Sequence, residues 1–178
     1  MYLISAYFDK TTNKALQKYI DNVAQATGND FMLSHNVPPH LTLSAIEAKS
    51  VEVLLPSFEA LSGQILRGKI SIITVGQLMP QVLYVAPYLN EYLQEIELQI
   101  YNNFYAIPKT SISNYYKPLS WLPHITIAKT LSKEQMIEAF KVMQDFKPIN
   151  AEIVRIGLAK VNPHQDVAEI IFFRKINT

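Results

Sequence analysis

Two of the chain's four histidines sit in the same phrase: Pro39-His40-Leu41-Thr42-Leu43 and Pro123-His124-Ile125-Thr126-Ile127. Imidazole is the side chain whose ordinary pKa, near ~6.5, lets it give or take a proton around neutral pH. A threonine hydroxyl can donate a hydrogen bond to an oxygen that is gaining negative charge. Residues two apart on an extended strand point to the same side, so each phrase presents its histidine and threonine together. Two imidazoles from separate strands can serve as a general base and a general acid for one reaction. With four histidines and nine threonines in 178 residues, one such phrase arises by chance in roughly one chain in twenty, and a pair is much rarer.

The elements that must position these residues follow from periodicity and turn chemistry. Residues 2–9 read as a buried first strand. Thr11 or Thr12 caps a helix whose apolar face is Leu16, Tyr19, Ile20 and Val23, and Gly28-Asn29 ends it. The first motif strand runs from about His40 to Ile46, followed by a helix over 50–62 with Pro56 disturbing its start. Strands 65–77 and 82–86 form a hairpin around Met79-Pro80-Gln81. Pro87 opens a helix through Tyr105, and 107–122 is a long loop of the kind that often carries function. The second motif strand runs from His124 to about Thr130. Ser132 and Gln135 have capping-box spacing for a helix to about Phe146. Strands 151–161 and 167–175 flank a turn at 162–166. Each half thus offers a motif strand, a helix and two strands. The expected fold class is α+β: a single domain over 1–178 made of two pseudo-symmetric lobes, antiparallel sheets packed by helices, with a central cleft and one motif strand in each lobe.

Composition narrows the ligand. Hydrophobic residues make up 49% and charged residues 17% of the chain, enough for a substantial core. The net charge is only +1, whereas proteins gripping long nucleic acid neutralise many phosphates with a clear basic excess. A small nucleotide or an RNA end suits this balance, and a duplex does not. Cysteine is absent, which removes disulfides and thiolate metal sites. The N-terminus reads as a strand and not a signal peptide, no run reaches the roughly 20 apolar residues of a membrane helix, and a cytoplasmic protein with no membrane partner is the expectation. The sequence leaves the oligomeric state open.

Pro38-Pro39-His40-Leu41-Thr42-Leu43 and Pro123-His124-Ile125-Thr126-Ile127, with their spacing and the order of elements around them, resemble the paired signature of the 2H phosphoesterase superfamily. That superfamily includes the RNA 2′,3′-cyclic phosphodiesterases, also called 2′-5′ RNA ligases. The resemblance covers essentially the whole chain. It implies two α+β lobes, no metal or other cofactor, and catalysis by His40, His124, Thr42 and Thr126, with His40 as acid and His124 as the base that activates water. The implied reaction opens a small cyclic or nucleotide phosphodiester, above all an RNA-type 2′,3′-cyclic phosphate, to a 2′-phosphate. The alternatives are 2′-5′ RNA ligation or cleavage of 2′-5′ oligonucleotides and, in another class, a non-catalytic nucleotide- or RNA-binding module. A structural reading of either motif alone is a strand whose histidine is hydrogen-bonded in the core. A metal site lacks a second nitrogen or carboxylate ligand beside each histidine.

Further residues are candidates for holding substrate. Lys129 stands five positions after His124, where many bacterial members have arginine. Strand parity turns it away from His124 and Thr126 unless the strand bends, and a solvated lysine is the plainer reading. Tyr115, Tyr116 and Trp121 could stack on a nucleobase or pack the loop down, and Lys109 and Lys117 could attract phosphate. His35 and His164, lacking a threonine partner, read as surface residues. On the first strand Ser5 and Tyr7 share one face, Ile4 and Ala6 the other, and either face can border the cleft.

Overall fold

A computed structural model describes residues 1–161 and 163–172. Strand β1 (Tyr2–Phe8) leads into α1 (Lys10–Thr27). Asp9, not Thr11 or Thr12, is the cap: its carboxylate accepts from the Thr11 and Thr12 amides at 3.0 Å each. A carboxylate reaches two orphan amides at once and complements the positive end of the helix. Its second oxygen accepts from the Glu152 amide, tying the helix start to a distant strand. Leu16, Ile20 and Val23 are buried on one face of α1, each contributing roughly 1.5–3 kcal/mol by leaving water. Gly28 ends the helix at φ 68°, a left-handed conformation that glycine adopts without steric cost.

A short helix α2 (Phe31–Ser34) precedes β2 (Leu41–Glu47). The expected helix over 50–62 is a 3₁₀ turn at Val51–Val53 and a five-residue helix α3 (Leu55–Glu59), with Pro56 in its first turn. Strands β3 (Gly68–Leu78) and β4 (Val82–Pro87) form the hairpin. Helix α4 (Glu91–Phe104) starts later than Pro87, because Pro87 still pairs with Ile72 in the sheet and Asn90 supplies the cap to the Leu93 amide. The expected loop 107–122 contains a two-residue strand β5 (Ser111–Ile112) on the edge of β2 and a 3₁₀ turn at Asn114–Tyr116. After β6 (Ile125–Ala128), α5 (Lys133–Met143) begins with the expected Ser132–Gln135 capping box. Strands β7 (Ile149–Lys160) and β8 (Gln165–Ile171) follow. Gln165 and Asp166, expected in the turn, belong to β8. Asn162 of that turn and 173–175 of the expected last strand lie outside the described residues.

The fold is α+β, and the described residues form eight antiparallel strands in one sheet: seven run in the order β5-β2-β1-β7-β3-β4-β6, and β8 pairs with β7 off that path. Strand β7 joins the two ends: it pairs with β1 along one edge, and with β3 and then β8 along the other. The motif strands β2 and β6 have β1, β7, β3 and β4 between them in the ladder, yet they touch. The sheet therefore curls until its far members meet, as the accumulated twist of many strands permits. Helix packing is reciprocal. Helix α1, which precedes β2, packs on β6 and α5, while α4, which precedes β6, packs on β2 and β3. Leu41, Leu43, Ile125 and Ile127, the apolar positions of the two phrases, are all buried in the core. Among the described residues no helix is long and apolar enough to cross a membrane.

Candidate active site

The core anchors one side of each motif and leaves the polar side on a cleft. His40, Thr42, His124, Thr126, Lys129 and Tyr116 line a cavity of about 180 Å³. Both histidines stand one residue before their strands rather than in them, and each is fixed in the same way. The His40 Nδ1 lies 2.8 Å from the Pro38 carbonyl and the His124 Nδ1 lies 2.9 Å from the Leu122 carbonyl. A carbonyl only accepts, so each Nδ1 carries the hydrogen and each Nε2 is left to exchange a proton.

The backing of the two rings differs. Tyr84 on β4 meets the His124 ring edge-on at 5.5 Å, and the Tyr84 ring lies across Gly76 so closely that a Cβ there would come within 2.4 Å of it. Behind His40 stand His164, at 4.6 Å between ring centroids, and Tyr7, at 6.3 Å. Burial, and then the neighbouring His164, hold the His40 imidazole down at about 4, against the Pro38 carbonyl and Asp166, which favour its proton. Burial likewise lowers His164, with Lys129 acting in the same direction and Asp166 opposing.

Lys129 lines the cleft, contrary to the parity argument, because β6 ends at Ala128 and Thr130 takes a positive φ of 61°. Its Nζ rests 4.4 Å from the centre of the Phe31 ring, which stacks on His35 at 4.1 Å. Tyr116 borders the cleft, and burial pushes its phenol up, offset by the Thr42 hydroxyl. Trp121 serves the scaffold: its indole N–H donates to the Thr42 carbonyl at 3.1 Å, holding the loop on the motif strand. Tyr115 is 79% exposed and, like Trp121, Lys109 and Lys117, does not line the cavity. His35 and His164, read from sequence as surface residues, both do, so all four histidines of the chain converge on one cleft. Phe31 and Tyr84 were not singled out by the sequence, and Tyr7 stands on the Ser5–Tyr7 face of β1, one of the two faces that the sequence offered as a border of the cleft. The shared face of His164 and Asp166, two apart at the start of a strand, is the local signal that could have drawn attention to that turn. Larger grooves, of about 680, 710, 400 and 250 Å³, lie elsewhere and contain no imidazole. Among the described residues, no three His, Asp or Glu side chains are gathered closely enough to hold a metal ion.

No family model and no curated protein matches the sequence. The fold does have solved counterparts. A crystal structure titled as a phosphoesterase superposes with a TM-score of 0.61 at 12% identity, over 97% of this chain and 98% of its own. E. coli LigT, crystallised with 3′-AMP, gives the same figures: TM-score 0.61, 12% identity, 97% and 98% coverage. The chain therefore shares the fold of E. coli LigT along nearly its whole length.

Proposed function

We propose that this chain is a 2H-type phosphodiesterase that opens a small RNA-type 2′,3′-cyclic phosphate to a 2′-phosphate without a metal ion. The observation that carries the reading is the matched pair of imidazoles. Each is tethered through Nδ1 and each leaves Nε2 free at one cavity fed by both motif strands. One Nε2 takes a proton from the attacking water while the other gives a proton to the departing ribose oxygen, a division of labour worth roughly 10²–10⁴-fold in rate for each group. The Thr42 and Thr126 hydroxyls donate to the non-bridging oxygens, and the Lys129 ammonium supplies a positive charge at the rim. The cavity of about 180 Å³ suits a phosphoryl group and its nearest atoms better than a polymer. The net charge of +1 favours a short ligand, and E. coli LigT, with the same fold, holds a mononucleotide.

The test is incubation with 2′,3′-cyclic nucleotides in excess chelator, with products separated by chromatography, alongside 2′-5′ dinucleotides and ligatable RNA ends. Release of 2′-phosphate from the cyclic compounds is expected. Activity lost on chelation removes the metal-free mechanism, and binding without turnover of any substrate turns the reading to a nucleotide-binding module.

A further inference from the structure

The network behind His40 has a direction. Tyr7 has one proton, and its hydroxyl lies 2.5 Å from Asp166 Oδ1. An ionised carboxylate only accepts, so the phenol donates there and its oxygen is left to accept from His164 Nε2–H at 3.0 Å. Asp166 Oδ2 accepts from Arg155 Nη1 at 2.9 Å, and that guanidinium lies 3.7 Å from the centre of the Tyr7 ring. Burial, followed by the bond to Asp166, raises the Tyr7 phenol, which keeps its proton. Gly157 on β7 makes room for the carboxylate: a Cβ there would approach Asp166 Oδ1 to 2.5 Å. Arg155, Asp166 and Tyr7 thus fix the tautomer and position of His164, whose ring faces His40 in the cleft.

We propose that His164 is a positioning residue for the reaction: fixed by Tyr7 and Asp166, it faces His40 and presents it to the cleft as the proton acceptor. The inference rests on the phosphodiesterase reading above. The groups facing His40 are His164 and Asp166 from the β7–β8 side, Tyr7 from β1, Thr42 from β2 and His124 beside β6. Lys129 faces His164 from the end of β6, and Arg155 stands behind Tyr7. Both carboxylate oxygens of Asp166 are engaged by Tyr7 and Arg155. A second proton on two imidazoles 4.6 Å apart would place like charges side by side. In hydrolysis, water oxygen bonds to phosphorus as its proton passes to His40 Nε2. The bond from phosphorus to the ribose O3′ breaks, its electron pair stays on O3′, and His124 gives that oxygen a proton. These roles are the reverse of those the sequence resemblance implies.

NMR titration of the ring signals in the full chain tests the coupling without relying on activity. In His164→Ala the His40 midpoint should rise by about one unit, a tenfold gain in proton affinity. His164→Gln, which retains a donor for Tyr7 and no ring charge, should also raise it while preserving the melting temperature. An unmoved His40 midpoint in both variants overturns the proposal. With a cyclic nucleotide, the acidic limb of the kcat/KM profile should move upward by the same amount. Loss by an equal factor at every pH means a purely structural role and also overturns it. A phosphodiester with a nitrophenolate leaving group needs no acid, so it should restore turnover to His124→Ala and not to His40→Ala. The opposite pattern makes His40 the acid and overturns the proposal. If the wild-type protein turns over no phosphodiester, the proposed function fails, and the titration still decides whether His164 governs His40.

Discussion

His40 and His124 share a sequence phrase and a tether to a carbonyl two residues upstream, yet they occupy different electrostatic settings. His124 has the edge of Tyr84 beside it, whereas His40 is pressed against a second imidazole backed by a phenol, a carboxylate and a guanidinium. The repeat supplies two equivalent frames, and residues outside the repeat make them unequal. Acid–base catalysis needs that inequality, because two identical imidazoles divide the tasks of donor and acceptor only after something sets their proton affinities apart.

The largest expected effect removes either side of the comparison. His40→Ala and His124→Ala should each lower kcat/KM for a cyclic phosphate by about 10²–10⁴-fold. Thermal unfolding should separate them: His124→Ala should melt as the parent does, while His40→Ala should lose the pH sensitivity described next. Either variant retaining near-parent turnover would break the paired assignment.

A second prediction isolates the His40 side. Its folded pKa of about 4 lies below the ordinary 6.5, so between those values the unfolded chain binds a proton that the folded chain does not. Stability from this group is therefore full above about pH 6.5 and is lost as pH falls toward 4, by up to about 3 kcal/mol at 1.36 kcal/mol per unit. Urea unfolding at several pH values should show this slope in the parent and a shallower one in His40→Asn. Inorganic phosphate should bind more tightly across the same fall in pH, since an anion in the cleft favours the protonated ring. Identical slopes for parent and variant would contradict the burial of a neutral His40.

The third prediction concerns the charge that Lys129 brings to the cleft. Lys129→Met keeps an aliphatic chain over Phe31 and removes the charge, and should weaken phosphate binding roughly tenfold, the scale of a charge-assisted hydrogen bond. Isothermal titration with inorganic phosphate reads it directly. Unchanged affinity would return Lys129 to a packing role against Phe31.

What the sequence reveals of this molecule is local. The two phrases, the capping box at Ser132 and the glycine stop at Gly28 are short-range patterns, and each stands where its chemistry requires. The unequal backing of the histidines is long-range. Residues 7, 40 and 164 meet only because β2 pairs with β1 while β1 and β8 pair with opposite edges of β7, a register that no local pattern specifies. Lys129 illustrates a different failure. Parity describes a strand only as far as the strand continues, and β6 stops one residue before it. Pro87 likewise looks like a helix opener and remains in the sheet opposite Ile72, because it lies past Val85, where the pairing of β4 with β6 ends, and no ladder bond there needs an amide from proline.

The smallest expected effect tests whether scaffold and site are separable. Asp9 caps α1 through two amides and accepts from the Glu152 amide of β7. The helix it starts covers β6, the strand of the His124 motif, and α5 also bonds to that helix through Gln135 and the Thr27 carbonyl. Asp9→Ala leaves those amides to water or unpaired, and should cost about 1 kcal/mol of stability, the usual range for a lost cap. None of these contacts reaches His40, Tyr7, His164 or Asp166. The inequality between the two histidines should therefore survive: Asp9→Ala should lower the midpoint of urea unfolding while the pH limbs of kcat/KM stay in place. A displaced acidic limb in this variant would mean that the anchoring of α1 also sets the geometry around His40, and the two halves would then have to be treated as one coupled unit.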